Sequence, residues 1–131
     1  IEGKLAPADV PEAWNAKYKH YLGLDVPDHR RGCMQDIHWS EGLVGYFPTY
    51  ALGNLYAAQL FEAMERAMPF VWDDIAQGRL GGVREWLREH VHRVGRTKLA
   101  PEIVRDATGS APGTEAYMRY LEGKYGALYR L

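Results

Sequence analysis

The sequence predicts an all-α fold, because apolar residues recur at helical spacing through most of it and strand-like alternation is nearly absent. Only the stretch from Gln35 to Trp39 suits a short extended piece. The 131 residues are 47% hydrophobic and 25% charged, which is typical of a globular protein with a real hydrophobic core. We therefore expect a helical protein without a regular sheet.

The first predicted helix begins at an Asp9 cap, has Pro11 in its first turn and ends at Gly23. Trp14 and Tyr18 mark its apolar face. A charged loop over residues 24–31 follows. It leads into residues 32–42, which have glycine at both ends and no helical period.

The strongest predicted helix runs from Pro48 to about Met68, where Pro69 stops it. Apolar residues occupy so much of its circumference that we expect it to be buried on most sides. Shorter helices are predicted over 70–77, 83–94, 101–108 and 114–130. The last of these should bury a stripe formed by Tyr117, Tyr120, Leu121, Tyr125 and Leu128.

Charge and composition exclude several classes of protein. The net charge is −1 and the pI is about 6.6, which argues against a nucleic-acid partner. No apolar run approaches the ~18–20 residues that span a membrane. Cys33 is the only cysteine, which excludes an internal disulfide and suits a reducing compartment. Because the chain starts at Ile1 rather than Met, we expect it to be cut from a longer one.

Polar residues that could carry chemistry cluster in the glycine-flanked stretch. Gln35, Asp36 and His38 stand close together, and Asp36 could orient the His38 ring if the segment is extended. Tyr46 and Tyr50 follow, and their phenols could donate to a developing oxyanion. On spacing alone, the alternative is that His38 makes its hydrogen bonds within the loop, and that the tyrosines pack in the core with their hydroxyls bonded to backbone carbonyls.

Metal ligation finds little support in the sequence. His90 and His92 are two residues apart, which on a helix points their rings about 200° apart. No His-Glu dipeptide occurs, so the H-E-x-x-H motif is missing. We expect no metal ligands within this chain.

Residues 32–39 match the pattern G-x-x-Q-D-x-H-W, and through it the chain resembles the carboxypeptidase Taq family of zinc metallopeptidases. The resemblance extends over nearly the whole chain. It is carried further by residues 11–15, 18–25, 45–54 and 121–131.

This resemblance implies an architecture and an activity. Residues 1–131 would form the C-terminal helical segment of a larger, mostly helical enzyme with a substrate groove, similar to neurolysin in fold. The whole enzyme would be cytoplasmic and homodimeric, and would release single C-terminal amino acids from peptides. Its zinc, or another divalent metal, would be held by an H-E-x-x-H motif and a glutamate in the missing N-terminal part. The chain alone should be inactive.

The resemblance also assigns roles to residues. His38 would bind the substrate backbone or the tetrahedral intermediate, and Tyr46 would donate to the oxyanion. Gln35, Asp36 and Tyr50 would bind substrate or shape the loop. The competing hypothesis is a stand-alone, non-catalytic helical interaction module, which explains the helices but not the motif at 32–39.

Overall fold

The computed structural model describes residues 3–130. The expectation of a longer parent chain rests on Ile1, which lies outside the described residues. The described residues form six α-helices and contain no β-strand, which confirms the all-α prediction. Short 3₁₀ turns precede α1 and connect α1 to α2. The helices are α1 (Val10–Leu22), α2 (Thr49–Ala67), α3 (Val71–Ala76), α4 (Gly81–Leu87), α5 (Ala100–Thr108) and α6 (Glu115–Tyr129).

The chain divides into two compact units, residues 1–48 and 49–131. In the first unit, α1 ends as predicted at Gly23, which has a left-handed φ of 69° and donates its N–H to the Lys19 carbonyl at 3.1 Å. Asp9 occupies the predicted N-cap position directly before the helix. The predicted hydrogen bond is wrong, because the Asp9 side chain accepts no backbone N–H of the first turn. The preceding 3₁₀ turn instead leads the chain into α1.

Aromatic side chains hold α1 against the segment that follows it in the first unit. The Trp14 ring stacks on Tyr18 at 5.5 Å and meets the Trp39 ring edge-on at 6.1 Å. Cys33, only 5% exposed, is the buried thiol of this unit. The glycine-flanked stretch is therefore packed on a helix and not a loose loop.

The second unit is built around α2. Its core consists of Ala63, Met64, Val71 and Trp86. Partly buried side chains from α2 to α5 complete it, namely Leu60, Phe61, Met68, Ile75, Val83, Leu87 and Ala107. This arrangement places the most apolar helix at the centre of the unit.

The expectation that α2 is buried on most sides is wrong for the described chain. Only Gln59, Ala63 and Met64 of this helix are buried, and residues 49–54 are all exposed. The α6 stripe is likewise only partly covered, with Leu128 66% exposed. The physical reason is that α5 and α6 contact α2 but leave its first turns uncovered.

A buried glutamine ties the loop between α5 and α6 to α2. Gln59, 7% exposed, donates from Nε2 to Ser110 Oγ at 2.9 Å and to the Ala111 carbonyl at 3.0 Å. Its Oε1 accepts the Gly113 N–H at 3.2 Å. Because every hydrogen-bonding group of the amide is used, the polar side chain is stable inside the unit.

The predicted helix over residues 83–94 changes its winding before it ends. It is α-helical to Leu87 and π-helical over Arg88–His92, where the Arg93 N–H donates to the Arg88 carbonyl. Over residues 3–130, no helix is long and apolar enough to cross a membrane.

Candidate functional site

The motif segment is wound into two short 3₁₀ turns, Cys33–Gln35 and Ile37–Glu41. The extended piece predicted over Gln35–Trp39 is therefore wrong. Asp36 stands between the two turns with φ −80° and ψ 85° and caps the second one by accepting the His38 backbone N–H at 3.2 Å. Aspartate is among the residues that cap helix N-termini best, which explains why a turn replaces the strand.

The same carboxylate holds the His38 ring. Asp36 Oδ1 lies 2.7 Å from His38 Nδ1, and the two side chains are 5% and 15% exposed. An ionised carboxylate only accepts hydrogen bonds, so Nδ1 carries the proton in this pair. The pairing predicted for an extended segment is present, but the capped turn produces it, since both Asp36 contacts are made within three residues.

Tyr46 reaches the His38 ring through a chain reversal. The turn at Glu41 closes when Leu43 donates its N–H to the His38 carbonyl at 2.9 Å, and Gly42 and Gly45 take left-handed φ values of 72° and 80°. The Tyr46 ring centroid then lies 5.0 Å from that of His38. Tyr46 is 43% exposed whereas the His38 side chain is 15% exposed, so of the two rings it is the tyrosine that reaches the surface of the described structure.

Phe47 is a neighbour of the site that the sequence reasoning missed. Its ring centroid lies 5.5 Å from that of His38. The only available signal was its position directly after Tyr46. His38 therefore has two aromatic rings beside it, and one of its ring nitrogens is fixed by a carboxylate.

The remaining predicted residues take different positions. Gln35 donates its side-chain amide to the Arg30 carbonyl, a contact that supports the loop. Trp39 packs edge-on against the Trp14 ring. Tyr50 belongs to the second unit, in the first turn of α2, and is 55% exposed.

Gly32 opens the motif because no side chain fits there. A Cβ at this position would lie 2.6 Å from Val26 Cγ1 and 3.3 Å from both Asn15 Oδ1 and the Asp28 carbonyl oxygen. The Asp28–Arg31 turn beneath it is closed by an ion pair of 2.6 Å, and the Arg31 guanidinium holds the pKa of the Asp28 carboxyl below its usual range. The motif backbone at Gly32 therefore packs directly against Val26, Asn15 and the Asp28 carbonyl.

Within residues 3–130, no three side chains of His, Cys, Asp or Glu come together in a way that could hold a metal ion. His90 and His92 are both exposed, and the His90 ring lies 4.6 Å from the Trp86 ring. The residues that the structure describes therefore do not fit a metal site.

The second unit carries a separate apolar groove of about 910 Å³ between α2, α3 and α6. Its apolar lining includes Ala57, Ala58, Phe61, Ile75 and Ala116, and its charged lining includes Glu62, Arg119 and Lys124. The Glu62 and Arg119 side chains pair at 2.9 Å across α2 and α6. The groove contains no cluster of chemically reactive groups comparable to that around His38.

The motif, its geometry and the all-helical fold agree with the results of comparison with known proteins. A family model described as carboxypeptidase Taq (M32) metallopeptidase matches residues 1–125. The chain belongs to this family, as the resemblance in residues 32–39 indicated.

Individual relatives support the assignment. The chain is 44% identical over 129 residues to thermostable carboxypeptidase 1 of Thermus thermophilus, covering 98% of this chain and 25% of that protein. It is 41% identical over 131 residues to carboxypeptidase 1 of Bacillus subtilis, covering 100% of this chain and 26% of that protein. The crystal structure of an M32 carboxypeptidase from Deinococcus radiodurans R1 superimposes with a TM-score of 0.89 at 42% identity, over 98% of this chain and 26% of that one. The chain thus spans about a quarter of the length of the relatives that it matches.

Proposed function

We propose that the full-length protein is a metal-dependent carboxypeptidase that releases single C-terminal amino acids from peptides, and that this chain is its C-terminal segment. Family membership and the carboxypeptidase names of the relatives support the reaction class. The observation that carries the proposal in this chain is the cluster of Asp36, His38 and Tyr46, because it gathers hydrogen-bonding groups of the kind that peptide hydrolysis requires.

His38 and Tyr46 are the catalytic residues of this proposal. Attack on the scissile carbonyl creates a tetrahedral oxyanion, and donors already in place stabilise it without reorganisation. Tyr46 donates its phenolic hydroxyl to the oxyanion, and His38 binds the intermediate or the adjacent substrate backbone. Gln35 and Asp36 shape the loop, and Tyr50 lines the substrate path from α2.

The metal of the proposed enzyme is zinc or another divalent cation, and it would be bound outside this chain. The described residues offer no ligand set for it. The remaining part of the polypeptide, about three quarters of the length judged from the relatives, would supply the ligands. We expect the isolated chain to release no amino acids from peptides.

Exposed apolar residues support a further part of the same polypeptide as the partner of this chain. Phe70 is 74% exposed, Leu99 73% and Trp72 57%. Exposed large apolar side chains mark interaction surfaces where they lie together, and Phe70 and Trp72 are only two residues apart in the sequence. The resemblance also favours a cytoplasmic homodimer, and light scattering on the full-length protein would measure its oligomeric state.

The test is to compare variants of the full-length protein with carboxyl-blocked and free peptides as substrates. His38→Ala and Tyr46→Phe should each lower kcat by about 10²–10³-fold while metal content stays normal. His20→Ala and Tyr21→Phe are matched controls, because both residues are exposed on α1 in the same unit and lie outside the cluster. Metal loss in the His38 or Tyr46 variant would refute these roles.

Absence of any peptide hydrolysis by the metal-loaded full-length protein would refute the carboxypeptidase proposal as a whole. It would favour the non-catalytic interaction module instead.

A further inference from the structure

We propose that Asp36 is the positioning residue of the cluster: its carboxylate fixes the His38 ring through Nδ1, so that Nε2 is the nitrogen that binds an anionic oxygen of the substrate. The inference rests on the proposed function and adds to it the positioning role of Asp36 and the ring nitrogen that contacts the substrate. The substrate group is either the tetrahedral oxyanion or the free carboxylate of the peptide, which share the same chemistry.

The first support is the burial of the carboxylate. The Asp36 side chain is 5% exposed, and a buried charge is expensive unless hydrogen bonds compensate it. Asp36 Oδ1 receives two, from the His38 backbone N–H at 3.2 Å and from the ring Nδ1 at 2.7 Å. Both hydrogen bonds are donated by His38, so the carboxylate fixes the backbone and the ring of that residue together.

The second support is that capping alone does not require a carboxylate. Serine or asparagine caps a helix N-terminus about as well as aspartate does. Serine has no second side-chain carbon beyond Cβ, so it can cap the turn without reaching the ring as Asp36 Oδ1 does at 2.7 Å, and asparagine keeps the reach but not the charge. The position therefore combines a structural task, which other residues could perform, with one that depends on the charge and reach of Asp36.

The ligand chemistry follows from the proton on Nδ1. In a neutral ring with Nδ1 protonated, Nε2 has a lone pair and accepts a hydrogen bond. An anionic oxygen needs a hydrogen-bond donor, so the form that binds it is the doubly protonated ring, in which Nε2 donates and Asp36 offsets the positive charge at 2.7 Å. A charged ring held in this way binds an anionic oxygen more strongly than a neutral donor does.

The test is a double-mutant cycle in the full-length protein with Asp36→Ser, His38→Ala and the double variant. Asp36→Ser keeps a cap but removes the carboxylate from the ring. We expect it to lower kcat/KM by about 10–100-fold, as loss of the partner that orients a metal-binding histidine does. In the His38→Ala background the same change should cost less than about 3-fold, because the ring on which Asp36 acts is gone. Asp36→Asn, which has the same shape and keeps an acceptor, should retain more activity than Asp36→Ser.

The outcomes separate the two levels of the proposal. A loss confined to kcat identifies the oxyanion as the ligand of Nε2, and a rise in KM identifies the peptide carboxylate. An equal loss from Asp36→Ser with and without His38 would overturn the positioning role, since it would show a purely structural effect. Full activity of Asp36→Ser and Asp36→Asn would overturn it too. Full activity of His38→Ala would instead overturn the catalytic role proposed for His38, and the role of Asp36 with it, whereas absence of hydrolysis by the wild-type protein would overturn the proposed function itself.

Discussion

Substitution of Gly32 by alanine should disturb the candidate site through a steric contact that the structure defines. The new Cβ would lie 2.6 Å from Val26 Cγ1, where ordinary van der Waals contact begins at 3.4 Å. One of the two groups must therefore move by about 0.8 Å in a packed region. The Val26 side chain can turn aside, but the Asp28 carbonyl oxygen at 3.3 Å is backbone and moves only with its turn.

The expected cost follows from this crowding. Overpacking of this kind typically costs about 1–3 kcal/mol. The displaced segment carries Asp36 and His38, and a shift of ~1 Å in a positioned group can lower turnover about 10²-fold. We expect Gly32→Ala to lower the Tm by a few degrees and kcat/KM by more than the loss of stability explains.

The assay measures Tm and kcat/KM of the full-length protein with Gly32→Ala, Val26→Ala and the double variant. The double variant should recover part of the loss, because Val26→Ala removes the atom at 2.6 Å. Gly126→Ala is the control: its Cβ would meet nothing within 4 Å inside α6, and it should stabilise by roughly 1 kcal/mol. Wild-type Tm and activity in Gly32→Ala, or strictly additive losses in the double variant, would refute the steric reasoning.

Two further predictions concern other parts of the chain. Gln59→Leu should destabilise the protein by about 2–3 kcal/mol, because the loop groups that contact the glutamine amide lose their hydrogen-bond partner. Hydrogen exchange at the Gly113 amide should become faster, and an unchanged exchange rate there would contradict the prediction. Asp28→Asn should lower the Tm at neutral pH by an amount that shrinks once the pH falls below about 4, because the lowered pKa of Asp28 contributes stability that is fully present above the unfolded value and is lost as the pH falls through the folded value. Calorimetry from pH 7 downwards measures the difference in Tm between the wild-type protein and the variant. A difference in Tm that grows as the pH falls would show that the Arg31 contact does not stabilise the fold.

Helix positions were predictable because their signals are local. The end of α1 at Gly23 and the stop after α2 at Pro69 depend on the backbone preferences of single residues. The apolar spacing between such signals is enough to define a helix. The π-helical turn after Leu87 had no such signal, since it changes the winding without changing the apolar pattern.

The geometry of the candidate site was predictable only in part. Asp36 and His38 were selected correctly as a pair, but the extended backbone expected between them is a capped 3₁₀ turn. The choice between the two depends on which backbone N–H the aspartate accepts, and sequence spacing does not reveal this. The contact of His38 with Phe47 depends in turn on the glycine reversals at Gly42 and Gly45.

The sequence by itself determined the all-helical class, most helix ends and, through residues 32–39, the family. These properties depend on periodicity, on glycine and proline, and on a motif of several specified residues. Tertiary structure alone decided which faces are covered and how the site is assembled. Burial and side-chain contacts depend on elements that are distant along the chain, as Gln59 shows by binding the loop at Ser110–Gly113. The exposed first turns of α2 follow the same rule, because an apolar face is buried only where another segment packs against it.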